Sequence, residues 1–118
     1  MPEERKIKRQ PRAAPAIRYK LITGCGSLYV TITFDDEGNP FELFAQLGKS
    51  GGCASATLEA ISRVISLGLR AGVPPHRYIK TLRGISCFQP TIDEGKKIPS
   101  CVDACAQALE EAVPKPKK

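Results

Sequence analysis

Five cysteines carry most of the chemistry open to this chain: Cys25, Cys53, Cys87, Cys101 and Cys105. Cys25 lies in a glycine-flanked turn, Gly24-Cys25-Gly26. Cys53 follows Gly51-Gly52 and opens a helical stretch. Cys87 falls in an irregular loop, and Cys101 follows Ser100, a good N-cap. All four stand at turns or element ends, where backbone N–H groups can face a sulfur and stabilise a thiolate. Four such thiolates suit one Zn²⁺, which takes four tetrahedral nitrogen or sulfur ligands. No pair has CxxC spacing, so two other readings stay open. A thiol at a helix start, Cys53 or Cys101, can be a redox nucleophile with a depressed pKa. Cysteine is also a common small core residue. Cys105, among Ala104, Ala106 and Ala108, fits that description best.

A second candidate is the run Gly48-Lys49-Ser50-Gly51-Gly52. A nucleotide-triphosphate loop needs a glycine five positions before Gly48, and Leu43 stands there. An anion site survives that exclusion: Lys49, Ser50, Gly51 and Gly52 at a helix N-terminus suit a phosphate, such as that of a nucleotide. The competing reading is that the glycines only permit a sharp strand-to-helix turn. His76 is the sole histidine, and there is no obvious buried carboxylate pair, which argues against a self-contained acid–base active site.

The elements that would position these residues follow from periodicity. Residues 17–23 and 28–34 alternate and are rich in β-branched and aromatic side chains, and 41–47 alternates after the loop Asp35-Asp36-Glu37-Gly38-Asn39-Pro40. Three strands with short loops predict a meander. From Cys53 to Ala71 the period becomes helical. Ala54, Leu58, Ile61, Val64, Ile65, Gly68 and Leu69 form the expected apolar face, with Glu59, Ser62, Arg63, Ser66 and Arg70 opposite. Gly72 suits the helix cap. Pro74-Pro75 opens a short second helix through about Leu82, with Ile79 and Leu82 on its buried side. Residues 85–99 read as irregular. Ser100 caps a third helix to about Val113, with Asp103 completing a capping-box-like pair and Val102, Ala106, Leu109 and Val113 as its stripe. The expected fold is α+β: a three-stranded antiparallel sheet packed by about three helices.

Of 118 residues, 1–16 read as a basic, proline-containing flexible tail and 114–118 as a second one, leaving a domain at 17–113. A domain so small buries only about 60–65% of its unfolded surface, so a metal staple would help it. The net charge of +6 lies mostly in the tails. Arg5, Lys6, Lys8, Arg9 and Arg12 could touch nucleic acid, but a solvated linker is the more ordinary role, and no zinc-finger, helix-turn-helix or aromatic stacking motif accompanies them. No stretch reaches the roughly 20 apolar residues of a membrane span, and no apolar core follows the N-terminal charges as in a secretory signal. The expectation is a cytoplasmic protein with reduced thiols.

Five blocks, taken together, resemble a known family. Thr23-Gly24-Cys25-Gly26 is followed by LYVTI, then PFELFAQLGKSGGC, EAISRVISLGLRAGV, LRGISC and PSCVDACAQALEE. This set is similar to the TSCPD domain, found at the C-terminus of class II, adenosylcobalamin-dependent ribonucleotide reductases and as small separate proteins. The name-giving motif is altered: Pro99 replaces its threonine and Val102 its proline, while Ser100, Cys101 and Asp103 remain. The resemblance implies an accessory module of ribonucleotide reductase and so of deoxyribonucleotide synthesis, docked to the catalytic chain. The catalytic barrel and its adenosylcobalamin would belong to that partner. The family's cysteine positions fall on Cys25, Cys53, Cys87 and Cys101, which implies a shared zinc site; Cys105 is outside the pattern. The alternatives are a small nucleotide- or anion-binding regulatory module and a thiol redox partner.

Overall fold

The computed structural model describes residues 6–48, 52–87 and 90–113, without the side chains of residues 52–54. Three strands, β1 (Ala16–Thr23), β2 (Gly26–Phe34) and β3 (Pro40–Leu47), form an antiparallel sheet in the order β1-β2-β3, the expected meander. The register sets Tyr19 opposite Val30, and Ile32 opposite Leu43. Leu28, Val30, Ile32 and Leu43 are fully buried on one face of this sheet, as the period of two requires. The β2–β3 loop closes on Asp35, whose Oδ1 accepts from the N–H groups of Glu37 and Asn39, both at 2.9 Å.

Helix α1 (Gly52–Arg70) follows, and its buried face departs from the expected one. Leu58, Ile65 and Leu69 are buried, but Val64 is 63% exposed, while Ser62 and Ser66 are buried. The reason lies in β3, an edge strand whose outward backbone groups need partners. Ser62 Oγ accepts from the Ala45 N–H at 2.9 Å. Ser66 Oγ accepts from the Leu43 N–H and donates to the Leu43 carbonyl, each at 3.0 Å. Two hydroxyls one helical turn apart thus take the place of a fourth strand. At the end of α1, Gly68 meets helix α2 (Pro75–Leu82) so closely that a β-carbon there would overlap the Tyr78 hydroxyl. Ile79 and Leu82 of α2 are partly buried against the core, as their spacing predicts.

Residues 85–99 hold a small hairpin that periodicity did not reveal: β4 (Thr91–Asp93) and β5 (Lys96–Ile98). Strands of three residues are too short to show alternation. Their turn uses Glu94 and Gly95, both at positive φ (49° and 80°), as a tight two-residue hairpin turn demands. The hairpin is tied to the free edge of β1, where the Ile22 N–H donates to Asp93 Oδ2 at 2.9 Å.

Helix α3 (Cys101–Ala112) crosses the buried face of the sheet. Its expected stripe is too narrow. Every residue from Asp103 to Leu109 is buried, together with Ala112, whereas Val102 and Val113 are only half-buried. Ala104, Ala106, Ala108 and Ala112 are small enough for neighbours to approach on most sides of the helix.

Of the segment expected as an N-terminal tail, residues 6–15 have no regular structure but lie against the domain. The Lys8 N–H donates to the Arg70 carbonyl at 3.0 Å, and Arg70 Nε returns a bond to the Lys8 carbonyl at 2.8 Å. The Gln10 amide bonds the Glu42 carboxylate, and Glu42 is buried. Residues 1–5 and 114–118, the remainder of the expected tails, lie outside the described residues. No helix among the described residues is long and apolar enough to cross a membrane.

Candidate thiol site

The β1–β2 hairpin ends in the pair Thr23 and Gly26, with Gly24 and Cys25 at the tip. Gly26 has φ 119°, a conformation that side chains disfavour, which accounts for glycine beside the cysteine. Thr23 is buried. Its hydroxyl donates to the Gly26 carbonyl at 2.8 Å and accepts from the Cys25 N–H at 3.1 Å. Its remaining capacity is taken by Cys101, whose Sγ donates to it at 3.4 Å. One buried hydroxyl therefore joins the hairpin tip to the start of α3.

Two further ties bring Cys87 to the same place. The Cys87 N–H donates to the Pro99 carbonyl at 3.0 Å, and Ser100 Oγ donates to the Ile85 carbonyl at 2.6 Å. Ser100 also caps α3 as its sequence position predicts, accepting from the Asp103 N–H at 3.0 Å. The Asp103 side chain has a larger task than the capping pair assigned to it. It is fully buried, and Oδ2 accepts from the Gly84 N–H at 2.6 Å and from Arg83 Nε at 3.3 Å. Oδ1 accepts from Gln107 Nε2 at 2.6 Å. The loop after α2, which carries Cys87, is thereby held against the helix that carries Cys101.

The electrostatics show that three sulfurs share this end of the domain. Burial is the main cause that pushes the Cys101 thiol up. The Thr23 hydrogen bond pulls it back, while Cys25, through charge and hydrogen bonding, and Cys87, through charge, push it further up. The redox reading required a depressed value at Cys53 or Cys101; at Cys101 the shift is in the other direction, because burial and neighbouring thiols outweigh the Thr23 hydrogen bond. Electrostatic reach is a longer range than ligation. Among the described residues no three His, Cys, Asp or Glu side chains are arranged to hold a metal ion, and the Cys53 side chain is not among those described. Cys53 belongs to the first turn of α1, close in sequence to Gly48, whose N–H donates to the Ser27 carbonyl at 2.8 Å beside the hairpin tip.

Cys105, one helical turn beyond Cys101, is fully enclosed in the core. Burial, followed by the charge of Cys101, pushes its thiol up to about 12. Of the candidate anion site, Lys49, Ser50 and Gly51 lie outside the described residues, and Gly52 is the first residue of α1. His76 is exposed on α2. Sequence reasoning missed Thr23 and the Arg83–Asp103–Gln107 network. The signal for Thr23 was its place immediately before a glycine turn, where a hydroxyl commonly bonds backbone two residues on.

A small α+β domain that gathers thiols from a hairpin tip, a loop and a helix start is the class these features define. The chain belongs to the TSCPD domain family, whose pattern matches residues 4–113. It is similar to the vitamin B12-dependent ribonucleotide reductase of Streptantibioticus cattleyicolor, with 28% identity over 83 residues, which is 70% of this chain and 14% of that protein. The proteins of the same name from Streptomyces clavuligerus and Streptomyces avermitilis also show 28% identity over 83 residues, 8% of each. The chain thus spans only a small part of the length of these relatives. No solved structure matches it significantly.

Proposed function

We propose that this domain is an accessory module of a ribonucleotide reductase system, docked to the catalytic chain and stapled by a zinc ion at the thiol end. The observation that carries the reading is the convergence of Cys25, Cys87 and Cys101 on one end of the domain, around Thr23. It is supported by family membership and by the likeness to B12-dependent reductases. Cys25, Cys87 and Cys101 would hold the metal, with Cys53 as the fourth ligand. Thiolates are donors that zinc accepts, and a dication would reverse the penalty that clustered thiols place on one another's ionisation, but the described side chains are not arranged around an ion as they stand, so binding would have to draw them together. Bound there, zinc would supply a structural cross-link and hold the thiols as thiolates.

The chain's own residues do the rest. Thr23 orients Cys101, and Asp103 holds the loop of Cys87 to α3. The catalytic barrel and its cobalamin site would reside in the catalytic chain to which the module docks. Its setting would be the cytoplasm, where thiols stay reduced. The nucleotide-binding alternative rests on Lys49 and its neighbours, and the redox alternative loses support from the upward shift at Cys101.

The test is elemental analysis of protein purified without added metal or chelator, with thermal melts before and after chelation. About one zinc per chain and a large fall in Tm on chelation are expected. Absence of metal, with an unchanged melt, rejects the zinc module. Docking is tested separately by co-purification with a B12-dependent reductase chain.

A further inference from the structure

The face of the sheet opposite α3 has a different composition from the buried one. Along it β1 places Arg18 and Lys20, β2 places Tyr29 and Thr31, and β3 places Phe44 and Gln46. All six are exposed or half-buried, and Phe44 is 44% exposed. Lys20 pairs with Tyr29, Tyr29 with Gln46, and Thr31 with Phe44. Tyr29 and Phe44 are therefore diagonal neighbours on adjacent strands, a spacing within reach of aromatic side chains. The Arg18 guanidinium lies over the Tyr29 ring, 4.2 Å from its centroid, and Lys20 Nζ is 6.0 Å from the same centroid. At the far end of the face Gln10 bonds Glu42, which brings in the segment carrying Lys8, Arg9 and Arg12.

Exposed rings and a stacked guanidinium offer flat surfaces to planar bases, and the basic groups beside them match phosphates. Of the carboxylates near this face, Glu42 is engaged by Gln10, Glu59 by Arg63 at 2.8 Å and Asp93 by the Ile22 N–H, while Asp36 and Glu37 lie beside Lys8 and Arg9, and Glu94 near Lys20, at its two ends. We infer that this face binds single-stranded nucleic acid, with one base on Phe44, one on the Arg18–Tyr29 stack, and the backbone along Lys20 and the basic segment. A linear reading finds no stacking motif because each strand contributes only one or two of the residues. The basic stripe extends past two stacked bases, which favours a strand over a mononucleotide.

The experiment is fluorescence anisotropy of the full chain with a fluorescein-labelled 15-residue oligouridylate, compared with a duplex of equal length and with UMP as competitor. Circular dichroism melts establish that each variant is folded. The single strand is expected to bind more tightly than the duplex. Phe44→Ala is expected to weaken it about tenfold, within the range of a lost stacking contact. Lys20→Ala should flatten the slope of log affinity against log salt by about 0.7, as one lost phosphate contact would. Val64→Ala, at a residue of α1 exposed to 63%, should change nothing. The inference is overturned if no binding is seen in low salt, if duplex binds as well as single strand, or if UMP competes on equal terms with the oligomer. Equal weakening by Val64→Ala and Phe44→Ala also overturns it. None of these results depends on zinc, so this inference and the metal site fail or stand separately.

Discussion

The seam between α1 and β3 and the thiol end of the domain both use buried hydroxyls, with different consequences. In the seam, Ser62 and Ser66 are matched to backbone groups of Leu43 and Ala45. At the thiol end, Thr23 is equally engaged, but its engagement holds Cys101 beside Cys25 and Cys87, so like ionisable groups are gathered rather than neutralised. The seam closes an edge strand, whereas the thiol end gathers cysteines whose burial and proximity make ionisation of Cys101 harder. A polar group buried with all its bonds made serves stability. A cluster that raises its own ionisation cost keeps its thiols protonated.

The comparison breaks most sharply at Ser66. Ser66→Ala leaves both the Leu43 N–H and carbonyl buried without their partner, a loss of about 2–4 kcal/mol by the usual cost of unsatisfied groups. Ser62→Ala removes one bond and should cost about half as much. Urea denaturation with unchanged m-value checks both. If Ser66→Ala unfolds at the wild-type midpoint, the seam is not a stabilising device.

Asp103→Ala tests the other region. It strips the Gly84 N–H of its acceptor and removes one each from Arg83 and Gln107, which keep Glu110 and the Lys97 carbonyl, and should cost about 2–3 kcal/mol. If the network also positions the thiols, the variant will label faster at Cys87 with a maleimide under native conditions. A stability loss with an unchanged Cys87 rate would confine Asp103 to packing.

Much of this was legible in the sequence because it follows from backbone periodicity. Residues 28–34 alternate so plainly that β2 could be nothing else, and Gly72 with Pro74 fixed where α1 stops. The seam was not legible. Ser62 and Ser66 were assigned to solvent by polarity alone, although they share a helical face with Leu58, Ile65 and Leu69. A serine on such a face has two explanations, water or an edge strand, and only tertiary contact decides. Helix α3 misled for a related reason: alanines give a weak hydropathy signal, so enclosure on nearly every side looked like a narrow stripe. The cysteines were legible as turn and helix-start residues. Thr23 and Asp103, which bring Cys25, Cys87 and Cys101 together, act across 78 and 19 residues of sequence, beyond any local pattern.

The smallest expected effect separates the core cysteine from the exposed ones. Cys105 is buried in the core with its thiol pushed up to about 12, whereas Cys25 and Cys87 are exposed. In chelator-treated protein at pH 8, iodoacetamide should modify Cys25 and Cys87 while Cys105 reacts only on unfolding, as peptide mass analysis would show. The same shift has a pH signature. Below the ordinary thiol pKa, near 8.5, Cys105 is protonated in both folded and unfolded chains, and its full contribution to stability is present. Above that value the unfolded chain loses the proton first, so stability falls as pH rises towards about 12. The Cys101 thiol, also shifted upward, adds a loss of the same sign. Cys105→Ala should reduce this alkaline loss without changing metal content, because Cys105 is packed against the core and separate from the thiol end. If Cys105→Ala removes bound zinc, the division between core cysteine and site cysteines is wrong, and the site must be redrawn to include the second turn of α3.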